Sequence, residues 1–268
     1  METIITLLVS LFSMGTIIIP ICGFALIFFS VIGLMVWLVR KRLTPPTQQE
    51  TDQAMTRANA WVDEKIQELG NWGNASLDDL SAQWQGSWSH MVRVEAKGTI
   101  RSLVEEIDLV AFYLFRSAQK SHIIAATSVQ RWQIEVEKGL ARIYLDGRSF
   151  GQLRLSDGEF FDDRAQSIGQ AKRRSGLDFF INDIPVNQHD RFYEVTLRNR
   201  PIGAINNAPE SVDIIRAIRG VSEPALIHTA GMLLDAEAED WLLALAIIET
   251  VYYSVAERMA ARRRARRI

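Results

Sequence analysis

The chain of 268 residues contains one cysteine, Cys22, which excludes an intrachain disulfide and a cysteine-based metal site. Its net charge of −2 conceals two basic ends and an acidic middle, and an acidic body argues against a nucleic-acid-binding protein. The residues that follow the apolar N-terminus are enough for one good-sized domain with a linker, or for two small domains.

The N-terminal segment has no charged side chain between Ile4 and Val39. An apolar run of more than about eighteen residues predicts a membrane-spanning segment. A straight helix of this length would measure about 54 Å, whereas the hydrocarbon core of a bilayer is about 30 Å thick. Two arrangements therefore remain open: one kinked span that includes Pro20 to Val39, or a hairpin of two short helices that turns near Gly15 or Pro20.

Basic residues on one side of this segment predict its orientation. Arg40, Lys41 and Arg42 follow it directly, and the positive-inside rule places them in the cytoplasm. We therefore expect an integral membrane protein with an anchor at residues 1–43 and most of the chain on the cytoplasmic side.

Residues 44–85 are predicted to form a linker and a helical stalk. Pro45 and Pro46 end the membrane helix, and an apolar stripe predicts a helix from Gln49 to Leu69. Ser76 and Asp79 have the spacing of a capping box, which predicts a second short helix to Trp84. We expect the pair to act as a stalk, or as a brace under the main domain. The stripe consists of Met55, Ala58, Val62, Ile66 and Leu69.

From residue 86 onward, apolar and polar residues alternate as they do in half-buried β-strands. The alternation is clearest in Trp88–Val94, Trp132–Val136 and Tyr193–Leu197. Between Ile100 and Leu114 the pattern fits both a helix and a strand, and we favour a strand from Leu109 onward. Turns at residues 146–147, 156–158 and 206–207 then indicate an antiparallel sandwich or barrel.

A weak repeat of the form apolar-Gly-x-apolar occurs three times in this half of the chain. A glycine within a strand usually marks a bulge, a bend or the close approach of another element. The three copies are Phe150-Gly151-Gln152-Leu153, Ile168-Gly169-Gln170-Ala171 and Ile202-Gly203-Ala204-Ile205.

The element that approaches these glycines is predicted to be a helix at residues 240–255. It follows the acidic residues Asp235, Glu237, Glu239 and Asp240, which suit a helix N-terminus, and residues 241–248 are apolar on every side. A helix that is apolar all round must be buried. We therefore predict a mainly β domain at residues 86–256, an antiparallel barrel that encloses this helix.

This combination resembles the tubby-like superfamily, which includes the phospholipid scramblases and the plant LURP-one-related proteins. The resemblance covers about residues 88–255 and is carried by return strands such as Arg200–Ile205, the acidic lead-in and the helix that begins Asp240-Trp241. It implies a twelve-stranded barrel around a central helix and a role at membranes, such as phosphoinositide binding or lipid redistribution. Unlike in scramblases, the membrane segment is N-terminal here and no acidic loop matches their calcium-binding segment, which argues against calcium-triggered scrambling.

The patterns that suggest catalysis or metal binding are better explained by structure. Gly147–Gly151 fits the G-x-S-x-G motif of hydrolases, but Ser149 follows a hairpin turn instead of a strand-to-helix elbow. Asp162-Asp163 and the acidic lead-in lack the alternation of a calcium loop. The histidines show no paired metal-ligand spacing either, and they are His90, His122, His189 and His228. We expect no enzyme activity, no metal and no cofactor.

An arginine-rich tail at residues 257–268 is the strongest functional signal. Basic residues near an anionic leaflet contribute about 1 kcal/mol each, whereas a solvated helix end would give the same pattern without a ligand. No aromatic residue is interleaved with these arginines, so we expect no nucleic-acid partner. The predicted lipid-binding residues are Arg40, Lys41, Arg42, Arg262, Arg263, Arg264, Arg266 and Arg267.

Two functions remain open from the sequence. In the first, a membrane-anchored, non-enzymatic protein binds anionic phospholipid or an acidic partner at the membrane surface. In the second, the chain is an accessory or assembly subunit of a larger membrane complex. Its N-terminal apolar segment would then dock on other helices, with Gly15, Gly23 and Gly33 as sites of close packing.

Overall fold

The computed structural model describes residues 27–37, 40, 47–74, 77–89, 93–117, 120–171, 173, 192–207, 223–228, 234–256, 258 and 259. The chain divides into two compact units, Met1–Pro45 and Pro46–Ile268. Most of the predicted anchor, including Gly15, Pro20 and Gly23, lies outside the described residues.

In the first unit, residues 27–37 are helical. Within the described part of the chain, no helix combines the length and the apolar character needed to cross a membrane. Large apolar side chains are exposed on all sides of the helix at residues 27–37. These side chains are Ile27, Phe28, Phe29, Val31, Ile32, Leu34, Met35, Val36 and Trp37.

The described residues of the second unit form one sheet of twelve strands. The strands follow one another in chain order, and each is antiparallel to the next. They are β1 Leu80–Ser89, β2 Val94–Ser102, β3 Asp108–Arg116, β4 Lys120–Ala126, β5 Arg131–Glu137, β6 Leu140–Leu145, β7 Arg148–Arg154, β8 Glu159–Phe161, β9 Ser167–Ala171, β10 Phe192–Leu197, β11 Arg200–Asn206 and β12 Leu226–His228.

The sheet is nearly closed into a barrel by the residues that precede β12. The Ala82 N–H donates to the Glu223 carbonyl (2.8 Å), and the Ala225 N–H donates to the Leu80 carbonyl (2.6 Å). These hydrogen bonds satisfy backbone groups along part of the outer edge of β1, which would otherwise be unpaired. The prediction of a mainly β domain built as an antiparallel barrel is therefore confirmed.

A helix, α1, spans Gln48–Ile66 and packs on the outside of the barrel. It begins after Thr47 because a capping box forms there: Thr47 Oγ1 accepts from the Glu50 N–H, and the Glu50 carboxylate accepts from the Thr47 N–H. The predicted helix from Gln49 is confirmed, and it braces the sheet. Its buried residues Ala54, Ala58 and Val62 contact Tyr113, Phe115, Ile124 and Ala126 of β3 and β4.

The core of the barrel is filled by a second helix, α2, which spans Ala236–Ile247. Asp235 caps it by accepting from the Ala238 N–H (2.9 Å), and a π-helix at Ile248–Tyr253 continues it. Every residue from Trp241 to Val251 is buried. The predicted central helix is therefore confirmed.

The three repeat glycines lie at β-bulges that allow the core to be packed closely. The residue before each glycine is the extra one in its strand, as register shifts in the β6–β7, β8–β9 and β10–β11 pairs show. A Cβ on Gly151 would lie 2.7 Å from the ring of Trp241 in α2. A Cβ on Gly203 would lie 3.2 Å from Leu242, also in α2. The predicted bulges are therefore confirmed at all three glycines, and the close approach of the helix is confirmed at Gly151 and Gly203. At Gly169 the close neighbours are instead the Phe160 ring and the Thr196 carbonyl oxygen.

Two predicted elements are wrong. The short helix to Trp84 is a 3₁₀ turn at Leu77–Asp79 followed by β1, because Leu80 and Trp84 are buried in the barrel core. The sheet thus begins inside the predicted stalk. The alternation from Trp88 to Val94 is not one strand, because β1 ends at Ser89 and the antiparallel β2 begins at Val94.

The ambiguous segment before Leu114 becomes the end of β2, a turn and β3, so the predicted strand from Leu109 is confirmed. Residues 109–115 of β3 are all buried, since one face lies in the barrel and the other lies under α1. A strand buried on both faces shows no alternation.

Candidate functional site

The two ends of the barrel differ in the groups that surround the central helix. We call the end where α2 begins the entry rim, which comprises the turns at residues 103–107, 127–130, 146–147, 162–166 and 198–199. There, the Gln130 amide donates to Asp240 (2.7 Å) and Arg198 pairs with Glu237 (2.7 Å). We call the opposite end the exit rim, which comprises the turns at residues 138–139 and 155–158, Arg173 and the end of the π-helix.

A buried carboxylate lies where the central helix reaches the exit rim. Glu249 is only 8% exposed and is the one charged residue between Trp241 and Val255. Arg173 Nε lies 3.0 Å from both carboxylate oxygens of Glu249, and the Tyr193 hydroxyl donates to Glu249 Oε2 (3.2 Å). These donors compensate the loss of water around a buried charge.

Two tyrosines beside this ion pair are held in the protonated form. Burial and the neighbouring Glu249 charge raise the pKa of Tyr193 well above its usual value. The same two causes raise the pKa of Tyr253 to about 12. Both phenols therefore remain hydrogen-bond donors at neutral pH.

The exit rim also brings three arginines against aromatic rings. Arg173 lies over Tyr253 with 4.0 Å between the guanidinium carbon and the ring centroid. Cation–π contacts of this kind hold a guanidinium near the surface, and the charge of Arg173 is in addition paired with Glu249. The other two pairs are Arg116 over Tyr252 at 4.9 Å and Arg258 over Trp84 at 4.3 Å.

The neighbours of these arginines fix the end of the helix. The Trp84 Nε1–H donates to Ser254 Oγ (2.8 Å), which joins β1 to the residues that follow the π-helix. Among the described residues, Arg116 Nη1 is buried and has no hydrogen-bond partner. Positive charge at this position also suits the negative end of the helix dipole.

The structure describes only one of the eight predicted lipid-binding residues. Arg40 is helical and exposed, and it belongs to the first unit. Lys41 and Arg42 lie outside the described residues, and so do the tail residues Arg262, Arg263, Arg264, Arg266 and Arg267. Of the tail itself the structure describes Arg258 and Met259, which lie at the exit rim.

The other candidate residues lie at structural positions. Ser149 is in β7, directly after a hairpin turn. Asp162 accepts bonds from the Arg164 and Gln166 N–H groups and so shapes its own turn. In the described ranges, no group of three or more His, Cys, Asp or Glu side chains could hold a metal ion.

Of the histidines, His90 and His189 lie outside the described residues. His122 is partly buried in β4, and burial lowers its pKa. His228 of β12 pairs with Asp78, which also accepts the His228 N–H (2.8 Å). This pair lies where β12 approaches β1.

The sequence analysis missed the residues of the exit rim. Glu249 carried a detectable signal, because a lone carboxylate that follows eight apolar helical residues must find a buried partner. Arg116 and Arg173 carried none, since Arg116 ends β3 and Arg173 follows β9, positions at which solvated residues are common.

The exit rim carries three guanidinium groups, which are donors suited to the oxygens of phosphates and carboxylates. The Tyr193 hydroxyl and Arg173 Nε are already bound to Glu249. Comparisons of the chain with protein-family models, with curated proteins and with solved structures gave no match. The resemblance to the tubby-like superfamily stays a prediction.

Proposed function

We propose that this chain is a membrane-anchored, non-enzymatic protein whose cytoplasmic, tubby-like barrel binds anionic lipid at the membrane surface. One observation carries the proposal: Arg258, which belongs to the arginine-rich tail, lies at the rim where Arg116 and Arg173 also lie. Basic side chains from three parts of the chain are thus directed to one end of the domain.

The anchor is supported by the first unit. The chain is free of charge from Ile4 to Val39, and the described helix at residues 27–37 exposes large apolar side chains on all sides. Apolar surface of this kind is stable only in an apolar environment, and lipid provides it without a specific partner.

The expected strength of the lipid contact follows from charge. Each arginine near an anionic leaflet contributes about 1 kcal/mol, and salt screens this attraction over roughly 8–10 Å. Because an anchored chain is already at the surface, the tail binds at a high effective concentration. A weak interaction of each arginine with lipid is therefore enough to bind the tail to the membrane surface.

The proposal is tested by the anionic phospholipid that the full chain retains when it is extracted in mild detergent. The test variant replaces Arg262, Arg263, Arg264, Arg266 and Arg267 with Ala. We expect the wild-type chain to retain several-fold more anionic lipid than the variant, and high salt to remove the difference. Near-UV circular dichroism of the barrel tryptophans checks that the variant is folded. Equal retention by both chains would contradict the proposal.

A second function, an accessory subunit of a membrane complex, is favoured by one observation. Nothing lies within 4 Å of a Cβ built on Gly33, so this side of the helix at residues 27–37 is open for close helix packing. The same extraction separates the two functions, because a subunit would migrate as a large assembly of fixed stoichiometry. An acidic partner protein on the tail would instead be released by salt.

A further inference from the structure

We infer that the exit rim is the face of the barrel that lies against the anionic lipid surface, and that the entry rim faces away from it. This inference rests on the proposed function and adds the orientation of the domain. Three features of the second unit carry it: the direction of α1, the position of the C-terminal residues and the distribution of charge.

The brace helix α1 begins at the exit rim. Glu50, in its first turn, pairs with Arg93 (2.8 Å) just before β2, and Arg57 pairs with Glu95 (3.3 Å). The other end of α1 lies at the entry rim, where the Gly70 N–H donates to the Asp108 carbonyl (2.8 Å). The chain therefore enters the barrel domain at the exit rim.

The residues before α1 are few. A short basic and proline-containing segment, residues 40–46, separates Thr47 from Val39, the last residue of the apolar run. A chain spans at most about 3.3–3.6 Å per residue, and proline-rich segments are stiff. Residues 40–46 therefore span at most about 25 Å, which keeps the end of the barrel where α1 begins near the last residue of the apolar run.

The C-terminal residues leave the barrel at the same rim. Ser254 accepts the Trp84 N–H, and Arg258 lies over the Trp84 ring. Arg258 belongs to the arginine-rich tail. The start of α1 and Arg258 thus lie at one end of the domain, so a single surface can engage the segments that precede α1 and follow Arg258.

The distribution of charged residues argues against the reverse orientation, in which the entry rim would face the lipid surface. The five entry-rim turns and the start of α2, which are described in full, contain nine acidic residues and two basic ones, Arg164 and Arg198. The strand residues beside these turns add Asp108 and four arginines, so acidic residues still outnumber basic ones by ten to six; the four are Arg101, Arg131, Arg148 and Arg200. An anionic leaflet repels a face of this composition and attracts the arginines at the opposite end. The acidic residues of this face are Glu105, Glu106, Asp146, Asp162, Asp163, Asp235, Glu237, Glu239 and Asp240.

The orientation can be measured with fluorescent labels at the two rims. Ser156, exposed in the exit-rim turn, and Val129, 61% exposed in the entry-rim turn, are each replaced by Cys in a full chain that carries Cys22→Ser. The labelled chains are reconstituted into vesicles of phosphatidylcholine and phosphatidylserine that contain a headgroup-attached quencher. Strands of seven residues separate the rims by roughly 20 Å, so a quencher at the surface distinguishes them.

We expect the label at Ser156 to be quenched at least threefold more than the label at Val129. In vesicles of phosphatidylcholine alone, the ratio is expected to fall, because charge no longer orients the domain. Equal quenching of both labels, or stronger quenching at Val129, would overturn the orientation even where the tail retains anionic lipid. Equal lipid retention by the wild-type chain and the tail variant would overturn the proposed function instead, whichever label is quenched more.

Discussion

The entry rim and the exit rim of the barrel are stabilised in different ways around the same helix. The entry rim relies on tight turns, an Asp235 cap and partly exposed pairs such as Arg198–Glu237. The exit rim relies on the buried Glu249–Arg173 pair and on arginines stacked against aromatic rings. In both, the sign of the charge complements the helix dipole, with acids at the start and arginines at the end. The polarity of the domain therefore follows the direction of its central helix.

Removing one carboxylate from each rim tests this difference most directly. Glu249→Ala leaves the Arg173 charge and the Tyr193 hydroxyl without their buried partner, and we expect it to lower the free energy of unfolding by about 3 kcal/mol. Glu237→Ala removes a pair with 33% and 55% exposed side chains, so we expect a loss of less than about 1 kcal/mol. Urea unfolding of both variants of the full chain measures the two values.

Glu249→Gln serves as the matched control at the exit rim. It keeps an oxygen that can accept from Tyr193 while it removes the charge, and we expect an intermediate loss. If Glu249→Ala cost no more than Glu237→Ala, the distinction between a buried and an exposed rim would be wrong.

The packing between the rims is tested by Gly169→Ala. A Cβ at this position would lie 2.1 Å from the Phe160 ring and 2.3 Å from the Thr196 carbonyl oxygen, which belongs to the backbone. Phe160 itself packs on Trp241 with ring centroids 4.6 Å apart, so it has little room to move. We expect a loss of about 2–3 kcal/mol from overpacking.

Gly147→Ala in the entry-rim turn is the comparison for this variant. Gly147 has φ +78° but nothing within 4 Å of an added Cβ, so only the left-handed backbone opposes the substitution. We expect a loss of about 1 kcal/mol in the same urea experiment. A larger loss for Gly147→Ala than for Gly169→Ala would show that backbone strain outweighs core packing in this barrel.

The glycine repeat also shows how much of the fold was predictable. Spacing and composition identified Gly151, Gly169 and Gly203 as points of close approach, and they identified the helix that approaches Gly151 and Gly203. These features are local in sequence, because a bulge and an apolar helix each leave a pattern within a few residues. The alternating strands at Trp132 and Tyr193 were predictable for the same reason.

The errors and omissions arose where local pattern and tertiary contact disagree. The break between β1 and β2 was missed because apolar and polar residues continue to alternate in the sequence from Trp88 to Val94. Residues 109–115 show no alternation of apolar and polar side chains, because α1 covers the outer face of their strand. The Arg173–Glu249 pair joins residues that are 76 positions apart, and no local pattern encodes such a contact. The candidate site at the exit rim could therefore not be predicted from the sequence, whereas the arginine-rich tail could.

Alkaline pH is expected to weaken the exit rim selectively. The pKa of Tyr253 is about 12 in the folded chain and 10.0 in its unperturbed state, so the unfolded chain loses this proton first. The contribution of Tyr253 to stability is therefore constant below pH 10 and falls as pH rises from about 10 to about 12. Tyr253 alone should contribute a loss on the order of 2 kcal/mol, and Tyr193 adds to it. Urea unfolding across this range measures the loss, and Tyr253→Phe should reduce it.

The smallest expected effect concerns the acidity of the entry rim. Burial and the nearby charges of Glu239 and Asp146 raise the pKa of Asp240, and only the bond from Gln130 opposes them. Because the folded chain holds this proton more tightly than the unfolded chain does, ionised Asp240 lowers stability above its pKa, and the penalty disappears as pH falls toward 3.8. Asp240→Asn keeps an acceptor for Gln130 and should raise the free energy of unfolding by about 0.3 kcal/mol at neutral pH. Urea unfolding of Asp240→Asn should show no gain in the free energy of unfolding at acidic pH and a smaller gain in high salt. A loss of stability at neutral pH would mean that the Asp240 charge supports the helix instead. A gain would mean that the entry rim holds more negative charge than its fold requires, so folding alone would not account for the polarity between the rims.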